Sequence, residues 1–174
     1  MLRLGKDYDI GTAVQYSDFT TAWVGKRISM HDCEGIDVVL IAGADGGGGT
    51  ADPVPSLQQH TAYTGGTTAD LATIDTIYRK SETLLDNDES WTETTQTAAA
   101  IMTAVAAEAE KQNIYVIHVE ATSLDDGYSW ISVNMADLAE AAKFGCAIYL
   151  KTGLKVQRTP ANLGNLLRPG AANA

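Results

Sequence analysis

The sequence predicts an all-β fold, a single β-sandwich domain, from three observations. Roughly seven or eight segments of strand character follow one another along the chain. Stretches rich in Gly, Asp, Asn and Ser separate them, and such stretches form turns. The length of 174 residues fits one domain with its own core. We expect the sandwich at residues 20–157, for which a jelly roll is one topology, with short helical turns and extended arms at residues 1–19 and 158–174.

The first predicted strands lie in the first third of the chain. Residues 20–30 are rich in Thr, Val, Trp and Ile. Residues 36–42 form a near-continuous apolar run, which the Gly-rich stretch at residues 43–49 follows. A strand that is apolar on both faces is typical of a sheet that another layer covers. An extended pattern resumes at residues 53–62, so we expect a β-meander with residues 36–42 inside the sandwich.

The strand pattern continues through the middle of the chain. Residues 71–80 alternate, which predicts Ile74 and Ile77 on opposite faces of one strand. Residues 84–90 are rich in turn formers, and alternation resumes at residues 91–96. We therefore expect a loop that joins two strands here.

The last predicted strands have the clearest alternation. Residues 113–121 and 128–135 flank the sequence Asp-Asp-Gly at residues 125–127. This sequence favours a chain reversal, because Gly accepts a positive φ and Asp bonds its own backbone. Residues 146–155 alternate in the same way and predict the final strand.

Two segments have a helical composition. Residues 97–112 contain seven alanines, and Ala is the strongest helix former. Strands surround this segment and tertiary context overrides propensity, so we expect a strand to about Val105 followed by a helical turn. Residues 137–145 begin with Asp, end with Gly and carry Glu and Lys at helical spacing, which predicts a short helix.

The net charge excludes several classes of partner. The chain has 12 Lys and Arg against 22 Asp and Glu, a formal charge of -10 at pH 7. This balance disfavours nucleic acid and anionic membrane surfaces as partners. We find no apolar run near the roughly 20 residues of a membrane helix, and residues 1–6 lead into polar residues instead of a secretory signal. We expect an acidic soluble protein.

The positive charges are concentrated towards the C-terminal end. Residues 146–174 hold four basic and no acidic side chains, whereas residues 37–145 hold four basic and seventeen acidic ones. Such an asymmetry suits a tail that docks on an acidic neighbour, for instance another copy of the same chain. A solvated tail with a few charges is the alternative.

The sequence contains no motif for catalysis or metal binding. The glycines at residues 46–49 lack the Lys of a phosphate-binding loop, and no G-x-S-x-G is present. The acidic run at residues 86–89 lacks the spacing of a calcium loop and indicates a solvated turn. His31, His60 and His118 lack metal-ligand spacing, and a Ser/His/Asp arrangement formed in space is a minor alternative. We therefore expect no enzymatic activity, cofactor or metal.

The cysteines and tryptophans indicate packing more than chemistry. Cys33 and Cys146 have neither a CxxC spacing nor nearby paired His, so we expect no zinc and interpret both as buried thiols; whether they form a disulfide stays open. The tryptophans lie on strand-like segments, where core or subunit packing is the main interpretation and a sugar-binding platform the alternative. They are Trp23, Trp91 and Trp130.

A series of short segments resembles a family of tailed-phage virion structural proteins. These segments occur in a fixed order within residues 11–157, and the Gly/Ala/Asn-rich extension at residues 163–174 departs from the pattern. They are residues 27–30, 36–44, 57–59, 64–71, 77–80, 91–96 and 115–121.

The resemblance implies a non-enzymatic head decoration, or cement, protein. Such a protein binds the outer surface of the capsid lattice, bridges subunits of the major capsid protein and resists the pressure of packaged DNA. It assembles in the host cytoplasm and resides in the virion. We expect self-association as a trimer, with a dimer as the alternative.

Arms that order on a neighbour extend the contacts of a compact body. We therefore expect the interface residues in the two arms and not in the core. The candidates are Leu2, Arg3, Leu4, Tyr8, Arg158, Leu163, Leu166, Leu167 and Arg168.

Three other functions fit the same sequence. A tail, neck or head-fibre component of the virion would share the sandwich and the lack of chemistry. A carbohydrate-binding module would expose Trp91 or Trp130 on one face. A small hydrolase would need a pocket in which Ser, His and Asp converge.

Overall fold

The computed structural model describes residues 7–45, 52–105, 110–138 and 143–155, and the predicted all-β fold is confirmed. Within these ranges the regular elements are eleven strands and one 3₁₀ turn. The strands are β1 (Asp9–Asp18), β2 (Trp23–Val24), β3 (Ile28–Ser29), β4 (Gly35–Ala42), β5 (Pro55–His60), β6 (Thr68–Asp70), β7 (Ile74–Glu82), β8 (Thr92–Ala99), β9 (Gln112–Glu120), β10 (Trp130–Met135) and β11 (Phe144–Thr152), and the turn is Ala121–Ser123.

The strands form two antiparallel sheets that pack as a sandwich. The six-stranded sheet has the order β1-β11-β4-β9-β7-β8. The five-stranded sheet has the order β2-β10-β5-β6, and β3 also pairs with β10. Alternation in the sequence predicts which face a residue takes but not which strand lies beside it, so this order is information that only the structure supplies.

The hydrophobic core lies between the two sheets. The six-stranded sheet contributes Ile36, Val38 and Leu40 of β4, and the five-stranded sheet contributes Leu57 and Val133. All five side chains are almost completely buried. Removing such apolar surface from water stabilises the sandwich by about 25 cal/mol per Å². The alternation predicted for β9 and β11 is confirmed, because alternate residues of both strands are buried.

Tyr149 of β11 links the two sheets through its hydroxyl group. The hydroxyl accepts a hydrogen bond from the Val133 N–H of β10 at 2.9 Å. It also donates to the carbonyl oxygen of Lys26 at 3.0 Å. Burial raises the pKa of Tyr149, so the hydroxyl keeps its proton and remains a donor. A buried phenol on β11 that bonds both β10 and the connection between β2 and β3 fixes the spacing of the sheets.

The predicted N-terminal arm is wrong for residues 9–19. Asp9–Asp18 forms β1, which pairs with β11 at the edge of the six-stranded sheet. Phe19 is completely buried, and its N–H donates to the carbonyl oxygen of Lys143 at 2.8 Å. Gly145 makes room for the ring, since a Cβ at this position would lie 2.4 Å from Phe19 Cζ. Ladder hydrogen bonds and the burial of one aromatic ring hold this polar segment in the body.

Two strand predictions need correction. The alternation predicts Ile74 and Ile77 on opposite faces, but both are buried. Ile74 precedes the part of β7 that pairs with β9, which begins at Ile77, and the register of β7 against β8 is irregular between Ile74 and Thr76. Residues 20–30 form the two short strands β2 and β3 instead of one. Gly25 lies between them, where a Cβ would meet the Val133 carbonyl oxygen at 2.2 Å.

The Ala-rich segment is a strand for a shorter distance than predicted. β8 ends at Ala99, whereas the prediction extends the strand to about Val105. The chain stays extended through an isolated bridge between Ile101 and Ser56. Residues 106–109 of the predicted helical turn lie outside the described residues.

The helix predicted at residues 137–145 is wrong at its C-terminal end. Phe144 begins β11, and its carbonyl oxygen accepts a hydrogen bond from the Gly43 N–H at 2.7 Å. Sheet pairing therefore outweighs helix propensity at this position. Residues 139–142 lie outside the described residues. In the described ranges, no helix has the length and apolarity needed to span a membrane.

Candidate assembly surface

The face of the six-stranded sheet that points away from the five-stranded sheet has an apolar centre, bordered by polar side chains such as Thr12, Lys80 and His118. Its residues alternate with buried ones along β1, β4, β7, β9 and β11. In an antiparallel sheet with one face in water, these positions are usually polar. We call nine of its side chains the outer face: Ile10, Val39, Ile41, Tyr78, Ile114, Val116, Cys146, Ile148 and Leu150.

The strand register places these side chains in continuous rows. Ile148 pairs with Val39, Val39 pairs with Val116, and Val116 pairs with Tyr78. Neighbouring strands lie about 4.8 Å apart, so this row is about 15 Å wide. A parallel row consists of Cys146, Ile41 and Ile114. The apolar residues therefore form one contiguous patch.

Within the described residues, only the core-facing side of β4 is packed against another layer. Residues 36–42 are apolar on both faces, a pattern that predicts cover by another layer. The inner face of β4 is buried, but Val39 is only half-buried and Ile41 is 41% exposed. The side chains of the outer face are thus apolar, as in a buried surface, although they are partly exposed to solvent.

One end of the outer face is acidic. His118 lies between two carboxylates, with Nδ1 2.6 Å from Asp37 Oδ1 and Nε2 3.3 Å from Glu120 Oε1. His118 and Glu120 also line an open groove of about 430 Å³ together with Asp75 and Tyr78. A groove with carboxylates beside an aromatic ring can accept a cationic side chain.

Aromatic side chains lie at both sides of this sheet. Tyr16 stacks on Phe144, with ring centroids 5.4 Å apart and ring planes 8° apart. On the other side, the Lys80 ammonium group lies 5.3 Å from the ring centre of Trp91. Trp91 is 51% exposed. Both pairs extend the accessible non-polar surface of the sheet.

The other two tryptophans pack inside the protein. Trp130 is 8% exposed and contacts Tyr63 with ring centroids 5.4 Å apart. Trp23 is half-buried and lies 5.8 Å from Phe19, centre to centre. Of the three tryptophans, Trp91 is therefore the one available to an external ligand.

A buried polar network surrounds His60 in the five-stranded sheet. The ring contacts the Thr68 hydroxyl through Nδ1 at 2.9 Å and the Ser132 hydroxyl through Nε2 at 2.8 Å. Ser132 in turn donates to Asn134 Oδ1 at 3.2 Å. Burial, and then the charge of Arg27, lower the pKa of His60 to about 4. The ring is therefore neutral at pH 7.

The described histidines do not form a Ser/His/Asp centre. His60 meets Ser132, but this serine is fully buried and gives its proton to an amide oxygen. His118 meets carboxylates at both nitrogens, so neither nitrogen faces a hydroxyl nucleophile. His31 is exposed on a turn. A triad needs a nucleophile and a carboxylate on opposite nitrogens of one accessible ring.

The acidic turn at residues 86–89 closes on itself. Glu89 Oε1 accepts a hydrogen bond from the Asp86 N–H at 2.5 Å and lies 3.3 Å from the Asn87 nitrogen. Asn87 has a φ of 80°. The carboxylates of Asp86, Asp88 and Glu89 lie within 4.8 Å of one another. These contacts support the prediction of a turn, and exposed acidic clusters alone do not define a metal site.

The two cysteines differ in their surroundings. Cys33 is buried, as predicted, and burial raises the pKa of its thiol. Cys146 is only half-buried because it lies on the outer face, so the prediction of a buried thiol is wrong there. Both thiols are free.

The predicted arm residues mostly lie outside the described residues. Tyr8 is half-buried immediately before β1. The other eight, which are Leu2, Arg3, Leu4, Arg158, Leu163, Leu166, Leu167 and Arg168, fall in residues 1–6 and 156–174. The outer face, in contrast, was not predicted as a site, although the double-faced apolar pattern of residues 36–42 was the signal for it.

No protein-family model, no curated protein and no solved structure matches this chain.

Proposed function

We propose that this chain is a non-enzymatic structural protein of a tailed-phage virion, which decorates the outer surface of the capsid and stabilises the head. The outer face of the six-stranded sheet carries the proposal. Contiguous apolar patches on soluble proteins mark surfaces that bind other macromolecules. The resemblance within residues 11–157 to phage virion proteins supplies the setting.

The partners would be the major capsid protein and further copies of the same chain. An apolar face excludes water from a contact, and its acidic end orients the partner by charge. Single contacts can be weak on a lattice, because each one raises the effective concentration of the next. A trimer suits threefold positions and is the state we propose. Nucleic acid and membranes are not partners in this proposal, in keeping with the net charge of -10.

Co-sedimentation with capsids tests the proposal. Purified protein is mixed with tail-less, expanded heads of the phage that encodes it, and bound copies per capsid subunit are counted after a density gradient. We expect saturable binding at a fixed ratio and a higher temperature of head disruption. A lack of saturable binding would contradict the proposal.

Two variants show whether the outer face is responsible. I41K introduces a charge at an exposed position of the outer face and should weaken capsid binding by at least about tenfold. T64K adds the same charge in the exposed loop between β5 and β6 of the other sheet. It should bind like the wild type. Equal capsid binding by both variants would indicate that the contact lies elsewhere on the chain.

A tail, neck or head-fibre component is the second candidate, since an apolar sheet face serves equally well there. Binding to purified tails or necks, with none to heads, would assign the protein to that part of the virion. A carbohydrate-binding module is a third candidate, which the exposure of Trp91 favours. Glycan-array binding that W91A abolishes would support it, and silence on the array would count against it.

A further inference from the structure

We infer that the outer face binds the C-terminal segment of a neighbouring copy, residues 156–174. The inference goes beyond the proposed function, because it names the segment of a neighbouring copy that contacts this surface. It applies to the purified protein without a capsid.

The outer face lacks a cover within the described residues. Val39, Val116 and Ile148 lie half-buried in one row, and Ile10 and Ile41 are more exposed. Isolated exposed aliphatic residues are common on proteins, but a contiguous sheet face of them is not. A partner that covers this surface removes it from water, which favours association.

The C-terminal segment has the composition that such a face would accept. It contains no acidic side chain, whereas the chain as a whole carries a charge of -10. Its aliphatic and basic residues are Val156, Arg158, Leu163, Leu166, Leu167 and Arg168. Leucines match the aliphatic rows, and arginines match the acidic end of the face.

The acidic end supplies a site for an arginine. Glu120 and Asp75 border the groove beside Tyr78, and Asp37 lies next to it against His118. A guanidinium group pairs with carboxylates through two parallel hydrogen bonds and stacks on aromatic rings. Arg158 or Arg168 in this groove would fix the direction of the segment across the sheet.

The described chain ends away from the outer face of its own sheet. Leu154 packs against the core, and the Lys155 N–H donates to the carbonyl oxygen of Asp32 at 2.9 Å. The chain therefore leaves β11 on the core side of the sheet, opposite the outer face. Residues 156–174 span at most roughly 60 Å, so they can reach a second molecule, and disulfide trapping separates this from a return to the same sheet.

Sedimentation velocity of the full chain is the first test. We expect concentration-dependent association of the wild type, and at least about tenfold weaker association for V116K and for R158E/R168E. T64K is the control for the added charge and should associate like the wild type. Far-ultraviolet circular dichroism shows whether each variant is folded. A wild type that stays monomeric to about 100 µM would overturn the inference.

Disulfide trapping tests whether the C-terminal segment contacts the outer face, and whether that face belongs to the same chain or to a neighbouring copy. Cys146 is a natural thiol on the outer face, so L163C and L166C each place a partner thiol in the segment. With copper–phenanthroline and air as oxidant, we expect a covalent dimer that C146S in the same chain abolishes. T64C serves as the control for random collision and should cross-link at least about tenfold more slowly.

The remaining outcomes all decide against the inference. A disulfide within one chain, seen as a faster monomer band, would place the segment on its own sheet. Association that survives R158E/R168E but is lost in V116K would indicate that two outer faces pack on each other. These results leave the proposed function open, because capsid binding is measured separately.

Discussion

His60 illustrates how the fold keeps a buried polar residue neutral. Its two nitrogens contact the hydroxyls of Thr68 and Ser132, so hydrogen bonds replace those lost to water. Arg27 donates to the carbonyl oxygens of Ala62 and Gly65 and holds the neighbouring loop. Burial and the Arg27 charge disfavour the protonated ring. The network specifies geometry in the five-stranded sheet.

The low pKa of His60 predicts a loss of stability in acid. The folded-state pKa is about 4, whereas an unfolded His titrates near 6.5. As pH falls below 6.5 the unfolded chain binds a proton first, so stability falls between pH 6.5 and 4. We expect the wild type to lose about 2.5 kcal/mol from this group between pH 7 and 4.5. Urea unfolding of the wild type and of H60Q at several pH values measures how the free energy of unfolding of each protein depends on pH.

H31Q is the matched control, because it removes a histidine from an exposed turn. It should retain the wild-type pH dependence over this range. If H60Q and the wild type lose equal stability between pH 7 and 4.5, the buried network does not hold His60 neutral.

At the scale of elements, the sequence predicts strands well and their boundaries less well. The turn at residues 125–127 is as predicted, with Gly127 at a φ of 84° and the Tyr128 N–H bonded to Asp125. β1 was missed because its burial comes from Phe19 and from pairing with β11, which is distant in sequence. The outer face was missed for a related reason, since only the register brings β4, β9 and β11 together.

Phe19 tests whether β1 belongs to the body. F19A removes a completely buried ring and should cost about 3–5 kcal/mol of the free energy of unfolding. F144A removes a ring that is 40% exposed on the outer side and should cost less than about 1 kcal/mol. Equal losses of the free energy of unfolding for F19A and F144A would indicate that Phe19 belongs to an arm and not to the core.

Tyr149 tests the connection between the two sheets. Y149F leaves the Val133 N–H without its partner in the core, which should cost about 1–3 kcal/mol. Y16F changes a tyrosine that is 74% exposed and should be neutral in the same urea titration. A neutral Y149F would mean that packing alone sets the spacing of the sheets.

The described part of the molecule is a sandwich whose two sheets differ on the side that points away from the core. The five-stranded sheet carries the polar network of His60, Ser132 and Asn134 outside its core side. The six-stranded sheet carries aliphatic side chains on its outer side and an acidic groove at one end. Among the described residues, the apolar outer face gives contact a preferred direction, which suits ordered assembly on a surface or between copies.

Association through the outer face predicts that thermal stability depends on protein concentration. Binding to the folded state raises the unfolding midpoint by mass action. For a dimer, each tenfold increase in concentration adds about 0.7 kcal/mol per chain, which is about 2 °C for a domain of this size. Differential scanning fluorimetry over two decades of concentration measures the slope. V116K should reduce the dependence of the unfolding midpoint on protein concentration, and T64K should not. A wild-type midpoint that does not change with concentration would show that the folded chains do not associate in this range.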